Sequence, residues 1–256
     1  MKQESWDSIL MPIGRFDRVV VLEETPSTQG DARVLSDGRP GLVVIGKRQL
    51  AGRGRQGRTW DDCDGASLSM SLCVDATLPS AGMSLAVGLG VLEACEVLGA
   101  AGLGLKWPND VVERGDGING RKVAGVLIES VRPISVVGVG VNVYASEHGW
   151  DEGLERTAVS LEQLGVKGGR PEVAAAVLDS VSKWLDAPPA AIGDRWLGVG
   201  TLRNRRCVFR IDGRLVAGTV VDLDRQWRLV LQTDEGDRVR IDAAHAHLEE
   251  PRTVGS

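Results

Sequence analysis

Residues 81–105 are the longest apolar stretch in the chain, and Glu93 and Glu96 are its only charged residues. Over residues 80–99 apolar side chains fall on every side of a helical wheel, so a helix there has no face suited to water. Two acids count against a membrane span, which leaves a core helix followed by a strand at residues 103–107. A helix buried on all sides needs other layers around it. A chain of 256 residues can supply them as one large domain, or as a large domain and a small one. The remaining composition agrees with a water-soluble globular protein, with 43% hydrophobic and 25% charged residues.

Those layers can be placed from pattern. Residues 18–22 (RVVVL) and 41–45 (GLVVI) are rich in β-branched residues and predict strands. Between them, Ser27 or Thr28 can cap a short helix running to Leu35. Residues 67–74 alternate Leu68, Met70, Leu72 and Val74 with Ser69, Ser71 and Cys73, the period of a half-buried strand. Further strands are predicted at 122–130 and 134–143, with a hairpin turn at 113–120 (ERGDGING). Residues 171–185 read as an amphipathic helix with proline in its first turn. Pro188 and Pro189 break it, and a short helix follows through Trp196. Past Gly200 the pattern becomes short strands at 207–211, 215–221, 229–232 and 239–241, separated by Asp212-Gly213, Asp224-Arg225 and Glu235-Gly236. The fold class read here is α+β, a mixed-sheet domain over residues 1–199 with a small β-barrel over 200–256.

Charge and cysteines narrow the function classes. Lys and Arg total 30 and Asp and Glu 35, a net charge of −5, which is a poor balance for coating nucleic acid. Cys63, Cys73, Cys95 and Cys207 are scattered without a C-x-x-C pair, so no protein-held metal is expected. They read as reduced thiols in a cytoplasmic protein. The opening MKQESWDS has no apolar signal core.

Four segments carry chemistry. In residues 52–60 (GRGRQGRTW) Gly52, Gly54 and Gly57 match G-x-G-x-x-G. A dinucleotide fingerprint should open a helix after a strand, with an acid about twenty residues on. Here arginines alternate with the glycines, three aspartates follow, and a strand comes next. Residues 46–60 hold Lys47, Arg48, Arg53, Arg55 and Arg58 and no acid, inside an acidic protein. That pattern points to a flexible loop that meets a phosphate or carboxylate. Residues 106–110 (KWPND) end a strand on a cation and turn into a carboxylate. Residues 120–129 (GRKVAGVLIE) bring Lys122 into an apolar strand, where an ammonium needs an anion, and Gly125 leaves the backbone open to close approach. Residues 137–143 (VGVGVNV) put Gly138 and Gly140 in a strand and end on Asn142, an amide that both donates and accepts.

Taken in this order, Ser27-Thr28, GRGRQGRTW behind Gln49 and Ala51, KWPND then RKVAG, and VGVGVNV resemble the biotin protein ligases, over about residues 19–247. The resemblance implies a catalytic domain of the biotin/lipoyl ligase type with a C-terminal SH3-like barrel. It implies that biotin's carboxylate attacks the α-phosphate of ATP, with Mg2+ on the triphosphate. Biotinyl-5′-AMP and pyrophosphate result, and biotin then passes to a lysine of a biotin carboxyl carrier protein domain. It further implies that Ser27, Thr28, Gln49, Gly52, Arg53, Lys122 and Gly125 bind biotin. Arg53, Arg55, Arg58, Trp60 and Asn142 would face ATP, with Asn142 reading adenine. Lys122, Arg55, Asp110 and Lys106 would be catalytic, and Trp150 could stack on adenine. Gln29 stands where the family usually has asparagine, the hairpin ending at Lys122 is a few residues long, and AAHAHLEE departs from the usual end of the barrel. Only about eighteen residues precede the first strand, too few for a helix-turn-helix, so the resemblance is to the monofunctional type without the N-terminal DNA-binding domain, and no nucleic acid is expected as a partner. With the apolar stretch read as a core helix, no membrane is expected either. A lipoyl or octanoyl ligase or transferase of the same fold, and a biotin sensor without activity, are the alternatives. The GRGR loop and KWPND speak against the first, and the phosphate-facing Arg55 and Lys122 against the second.

Overall fold

The computed structural model describes residues 4–115, 118–145 and 156–249. A seven-stranded mixed sheet organises the larger part. Its strands are β1 (Arg18–Leu22), β2 (Leu42–Gly46), β5 (Ser67–Asp75), β6 (Leu103–Lys106), β7 (Asp110–Glu113), β8 (Lys122–Val131) and β9 (Ile134–Asn142). They lie in the order β1-β2-β5-β9-β8-β7-β6, with β1 and β2 parallel and the other neighbours antiparallel. A two-stranded hairpin of β3 (Gly52–Arg53) and β4 (Thr59–Trp60) stands off this sheet.

Helix α2 (Ser80–Val97) is the predicted core helix, and α3 (Arg170–Leu185) packs along it. Together they cover one sheet face. Val43, Ile45, Leu68, Met70, Leu72, Val137, Val139 and Val141 point into that layer with the period of two that a strand imposes. α2 is long and apolar enough to cross a membrane, but it is mostly buried inside the protein. The opposite face is divided. Near one end α1 (Thr28–Leu35) closes a small core of Ala32, Leu42, Val44, Cys73, Ile134 and Val136. Beyond it the middle of the face carries mainly small residues, among them Ser69, Ser71, Gly125, Gly138 and Gly140.

Three expectations change here. β5 is buried on both faces up to Asp75, not half-buried, because α1 and the residue 49–62 segment cover its serine side. β7 is a strand that the pattern does not predict. Its four residues fall between two turn signals, too few to show a period. β14 (Ala246–Leu248) was likewise missed and forms the edge of the C-terminal sheet. That sheet runs β13-β12-β11-β10-β14, where β10 is Arg206–Ile211, β11 Arg214–Leu223, β12 Leu229–Thr233 and β13 Arg238–Ile241. Before it, α4 (Pro189–Val199) begins at the proline pair.

The two sheets share one apolar core, which includes Phe209, Val220, Trp227, Leu229 and Ile241. Trp227 fills the space that a side chain at Gly82 of α2 would occupy. Trp107 donates its indole N–H to the Trp227 carbonyl (3.2 Å) and meets Phe209 edge-on (6.3 Å between centroids). The KWPND turn is thereby clamped against the C-terminal sheet.

Candidate functional site

Strand register assembles the site. Gly46 lies opposite Ser69, Ser69 opposite Gly140, Gly140 opposite Gly125, Gly125 opposite Asp110, and Asp110 opposite Lys106. Residues directly opposite across a ladder share a face. Six strands therefore present one row that runs from small residues to a carboxylate and a cation. The adjacent row pairs Ser71 with Gly138 and Gly138 with Leu127. The result is a shallow depression with charge at one end.

Side chains from outside the sheet occupy that depression. A Cβ at Gly140 would lie 2.4 Å from the Trp60 ring, and one at Gly138 2.9 Å from Gln29. The strand glycines therefore admit Trp60 and Gln29, where the sequence suggested either a ligand or packing on the long helix. Likewise a Cβ at Gly125 would lie 2.7 Å from Lys122 Nζ, so Gly125 gives Lys122 its path. Lys122 Nζ reaches Asp110 Oδ1 at 2.8 Å and lies 5.5 Å from the centre of the Trp60 ring. The anion that this lysine requires is thus Asp110.

Two hollows meet at Trp60 and Lys122. The inner pocket runs over the glycine and serine rows to α1. The outer groove carries Arg58, Lys106, Lys122 and Arg156 against two acids, Asp61 and Asp110. An excess of cations around an open groove suits a polyanion.

The inner pocket has a polar wall. Thr28 donates its backbone N–H and its hydroxyl to Gln49 Oε1 (2.9 and 3.1 Å). Gln49 Nε2 donates to Ser69 Oγ across 3.5 Å, and Ser71 meets Thr28 Oγ1 at 2.8 Å. Ser27, at the start of α1, lines the same pocket, as do Gln29 and Gly54. Gly52 is pressed between Gln49 and Trp60, where a Cβ would lie 2.3 Å from the Trp60 carbonyl.

The basic loop is held by contacts outside itself. Arg55 donates to the Ala243 carbonyl in the turn between β13 and β14 (2.7 Å) and to Asn109 Oδ1 of the KWPND turn (3.2 Å). Burial lowers its pKa, Asp110 opposes that shift, and nearby Arg58 adds to it. Arg53 sits at the pocket mouth, paired with Glu129 of β8 at 3.4 Å, and Glu129 also takes Arg33 of α1 at 2.9 Å. Arg58 lines the outer groove, and Lys106 donates to Asn119 Oδ1 (3.1 Å).

Asn142 needs a different description from the expected one. Its amide donates to the carbonyls of Lys122 (3.0 Å) and Val159 (3.4 Å) and accepts from Ser67 (3.3 Å). It braces the groove wall with both amide hydrogens engaged, while its Oδ1 keeps a second lone pair that can accept from an amino group. Trp150 lies outside the described residues. The structure adds residues that motif reading passed over. Asn109 also donates to the Val126 carbonyl (2.9 Å), and Glu129 and Ala243 anchor the loop. Asp62 lies beneath the polar wall and accepts the Gln49 N–H (2.9 Å) and the Ser69 hydroxyl (3.1 Å). Asn109 belongs to a motif already noted, and Asp62 was visible only as one of several acids after Trp60.

The chain is similar to known proteins in sequence and fold. The sequence profile of the Biotin/lipoate A/B protein ligase family matches residues 21–144. The chain is 36% identical over 239 residues to a biotin–[acetyl-CoA-carboxylase] ligase of Mycobacterium tuberculosis, covering 88% of this chain and 86% of that one. A biotin–[acetyl-CoA-carboxylase] ligase of Paracoccus denitrificans is 37% identical over 134 residues, covering 48% of this chain and 53% of that protein. Among solved structures, the biotin protein ligase of Aquifex aeolicus in complex with biotin and ATP superposes with a TM-score of 0.80. It is 26% identical and covers 92% of this chain and 100% of its own.

Proposed function

Because this chain belongs to the biotin–[acetyl-CoA-carboxylase] ligases of the Biotin/lipoate A/B protein ligase family, we propose that its inner pocket holds biotin and its outer groove ATP. The protein is an ATP-dependent ligase that activates biotin and transfers it to the carboxylase. The family profile spans lipoate ligases too, but the full-length relative is a biotin ligase.

One observation carries the placement of the two substrates: Lys122 and Trp60 are common to both hollows. A biotin whose ureido ring meets Ser27, Thr28 and Gln49 directs its carboxylate toward that junction. ATP in the groove brings its α-phosphate to the same place. Two anions must approach there, and an ammonium between them offsets their repulsion. A carboxylate oxygen then attacks the α-phosphorus, and the bond to the bridging oxygen breaks with its electrons leaving on pyrophosphate. In the second step a neutral lysine amine attacks the acyl carbon and AMP departs. Asp110, opposite Lys122, is placed to take the proton of that amine once phosphate has drawn Lys122 away. Arg55 closes the loop over the anhydride, and Arg53, Arg58 and Lys106 face the phosphates.

Magnesium enters this reading with the triphosphate. Among the described residues no group of three or more His, Cys, Asp or Glu could hold an ion. The acceptor is a lysine of the carboxylase's carrier domain, docking near the C-terminal sheet, whose boundary we place near residue 200. The compartment is the cytoplasm, and neither nucleic acid nor membrane takes part.

Adenylation can be tested without an acceptor. Pyrophosphate release from ATP and magnesium should require biotin and stop near one equivalent per site when product stays bound. Release that is independent of biotin would contradict the reading.

A further inference from the structure

A buried carboxylate lies under the inner pocket, and the reaction as derived gives it no task. Asp62 is 4% exposed. Its Oδ2 accepts the Gln49 backbone N–H and its Oδ1 accepts the Ser69 hydroxyl. We propose that Asp62 is a positioning residue: it sets the direction of hydrogen bonding along the polar wall and so keeps the Gln49 amide nitrogen turned into the pocket as a donor to the ureido carbonyl. This rests on the reading of the inner pocket as the biotin site.

The direction follows link by link. An ionised carboxylate only accepts, so the Ser69 proton points at Asp62. The Ser69 oxygen is then free to accept from Gln49 Nε2, and it does so at 3.5 Å. At the other end the Thr28 backbone N–H can only donate, which holds Gln49 Oε1 toward Thr28. Both ends therefore agree on one orientation of the Gln49 amide. A donor at Asp62 Oδ1, whether a proton or the NH2 of asparagine, reverses Ser69. The Ser69 proton then faces the Gln49 NH2, donor against donor.

Keeping this charge has a cost that favours a functional reason for it. Burial pushes Asp62 up to about 6, against the Gln49, Ser69 and Gly65 hydrogen bonds and the Arg170 guanidinium, which act to lower it. Arg170, from α3, is itself paired with Glu4 at 2.7 Å. On the segment of Asp62 itself, Asp61 and Asp64 are the neighbouring charges, and Asp64 is paired with Arg48 at 3.2 Å. β5 faces Asp62 with serines alone. Between its ordinary value of 3.8 and about pH 6 the native protein holds a proton that the unfolded chain has released, so stability falls as the pH rises through that window and the ionised Asp62 is a cost that persists at neutral pH. Strongly shifted groups in clefts cluster at functional sites.

Calorimetry with biotin on the full chain separates the outcomes, using wild type, Asp62→Asn and Ser69→Ala on either side of pH 6. At neutral pH Asp62→Asn should bind biotin about tenfold more weakly, or 1.4 kcal/mol, with the KM for ATP unchanged. Its melting temperature should be no lower than that of the wild type. Wild-type affinity should fall as the pH drops through 6, and the variant, which keeps every other titrating group, should stay flat. Ser69→Ala removes the middle link and should show the same weakening with Asp62 in place. Wild-type affinity in either variant overturns the inference, as does a pH response shared by wild type and Asp62→Asn, or an Asp62→Asn protein that melts lower and loses ATP and biotin affinity alike. In each of these cases the wild type still binds biotin and the ligase reading stands. A wild-type chain that takes no biotin at either pH overturns both.

Discussion

Lys122→Ala is expected to slow biotinyl-adenylate formation by more than a hundredfold while weakening biotin binding far less. Two effects combine. Charge grows on the phosphoryl oxygens as the carboxylate attacks, so an ammonium at the junction of the two hollows stabilises the transition state more than the bound substrates. Removing one preorganised electrostatic group of this kind costs about 10²–10³ in kcat. Alanine also strips Asp110 of a partner 2.8 Å away and leaves its carboxylate facing the incoming phosphate. Lys122→Ala should therefore be partly rescued by Asp110→Asn in the same chain, which removes the uncovered charge. Single-turnover adenylation, read against biotin affinity by calorimetry, decides the matter. An equal loss in rate and binding would assign Lys122 to uniform binding, and no rescue by Asp110→Asn would break the link between the two residues.

Arg55→Gly should leave the fold intact and release the adenylate early. The guanidinium makes two hydrogen bonds, to Ala243 and Asn109, that tie the basic loop to the β13–β14 turn and to the KWPND turn. Hydrogen bonds from a charged group contribute about 1.5–3 kcal/mol, or about one to two powers of ten in retention of the intermediate. A mixed anhydride that escapes is an acyl donor for any exposed amine. Biotin incorporation into a bystander such as albumin should rise by that factor, with adenylation retained. Adenylation without faster bystander labelling would mean that Arg55 does not hold the intermediate.

The sequence showed the parts of this site that local pattern can carry. Period-two alternation placed β5, and the glycines in VGVGVNV marked a place where something comes close. What came close was not legible. Gly138 and Gly140 make room for Gln29 and Trp60, which arrive from other segments, and only the fold supplies that pairing. Local pattern also failed for β7, whose four residues are too few to show a period. Lys122 called for an anion, and Asp110 supplies it from the neighbouring strand through the β7–β8 register. Partners such as Ala243 for Arg55 and Glu129 for Arg53 are a carbonyl and a strand acid with no signature of their own. Asp62 stayed hidden because an aspartate among aspartates reads as solvated surface until its burial is known.

The central claim is that this chain joins biotin to a carrier lysine through an adenylate. The most direct test mixes the purified protein with biotin, ATP, magnesium and the carrier domain of acetyl-CoA carboxylase, and follows the carrier by mass spectrometry. The account predicts one biotinyl group per carrier, on a single lysine, requiring both ATP and biotin and lost when that lysine is replaced. A carrier whose mass stays unchanged, or that takes up lipoate or octanoate in place of biotin, would contradict it.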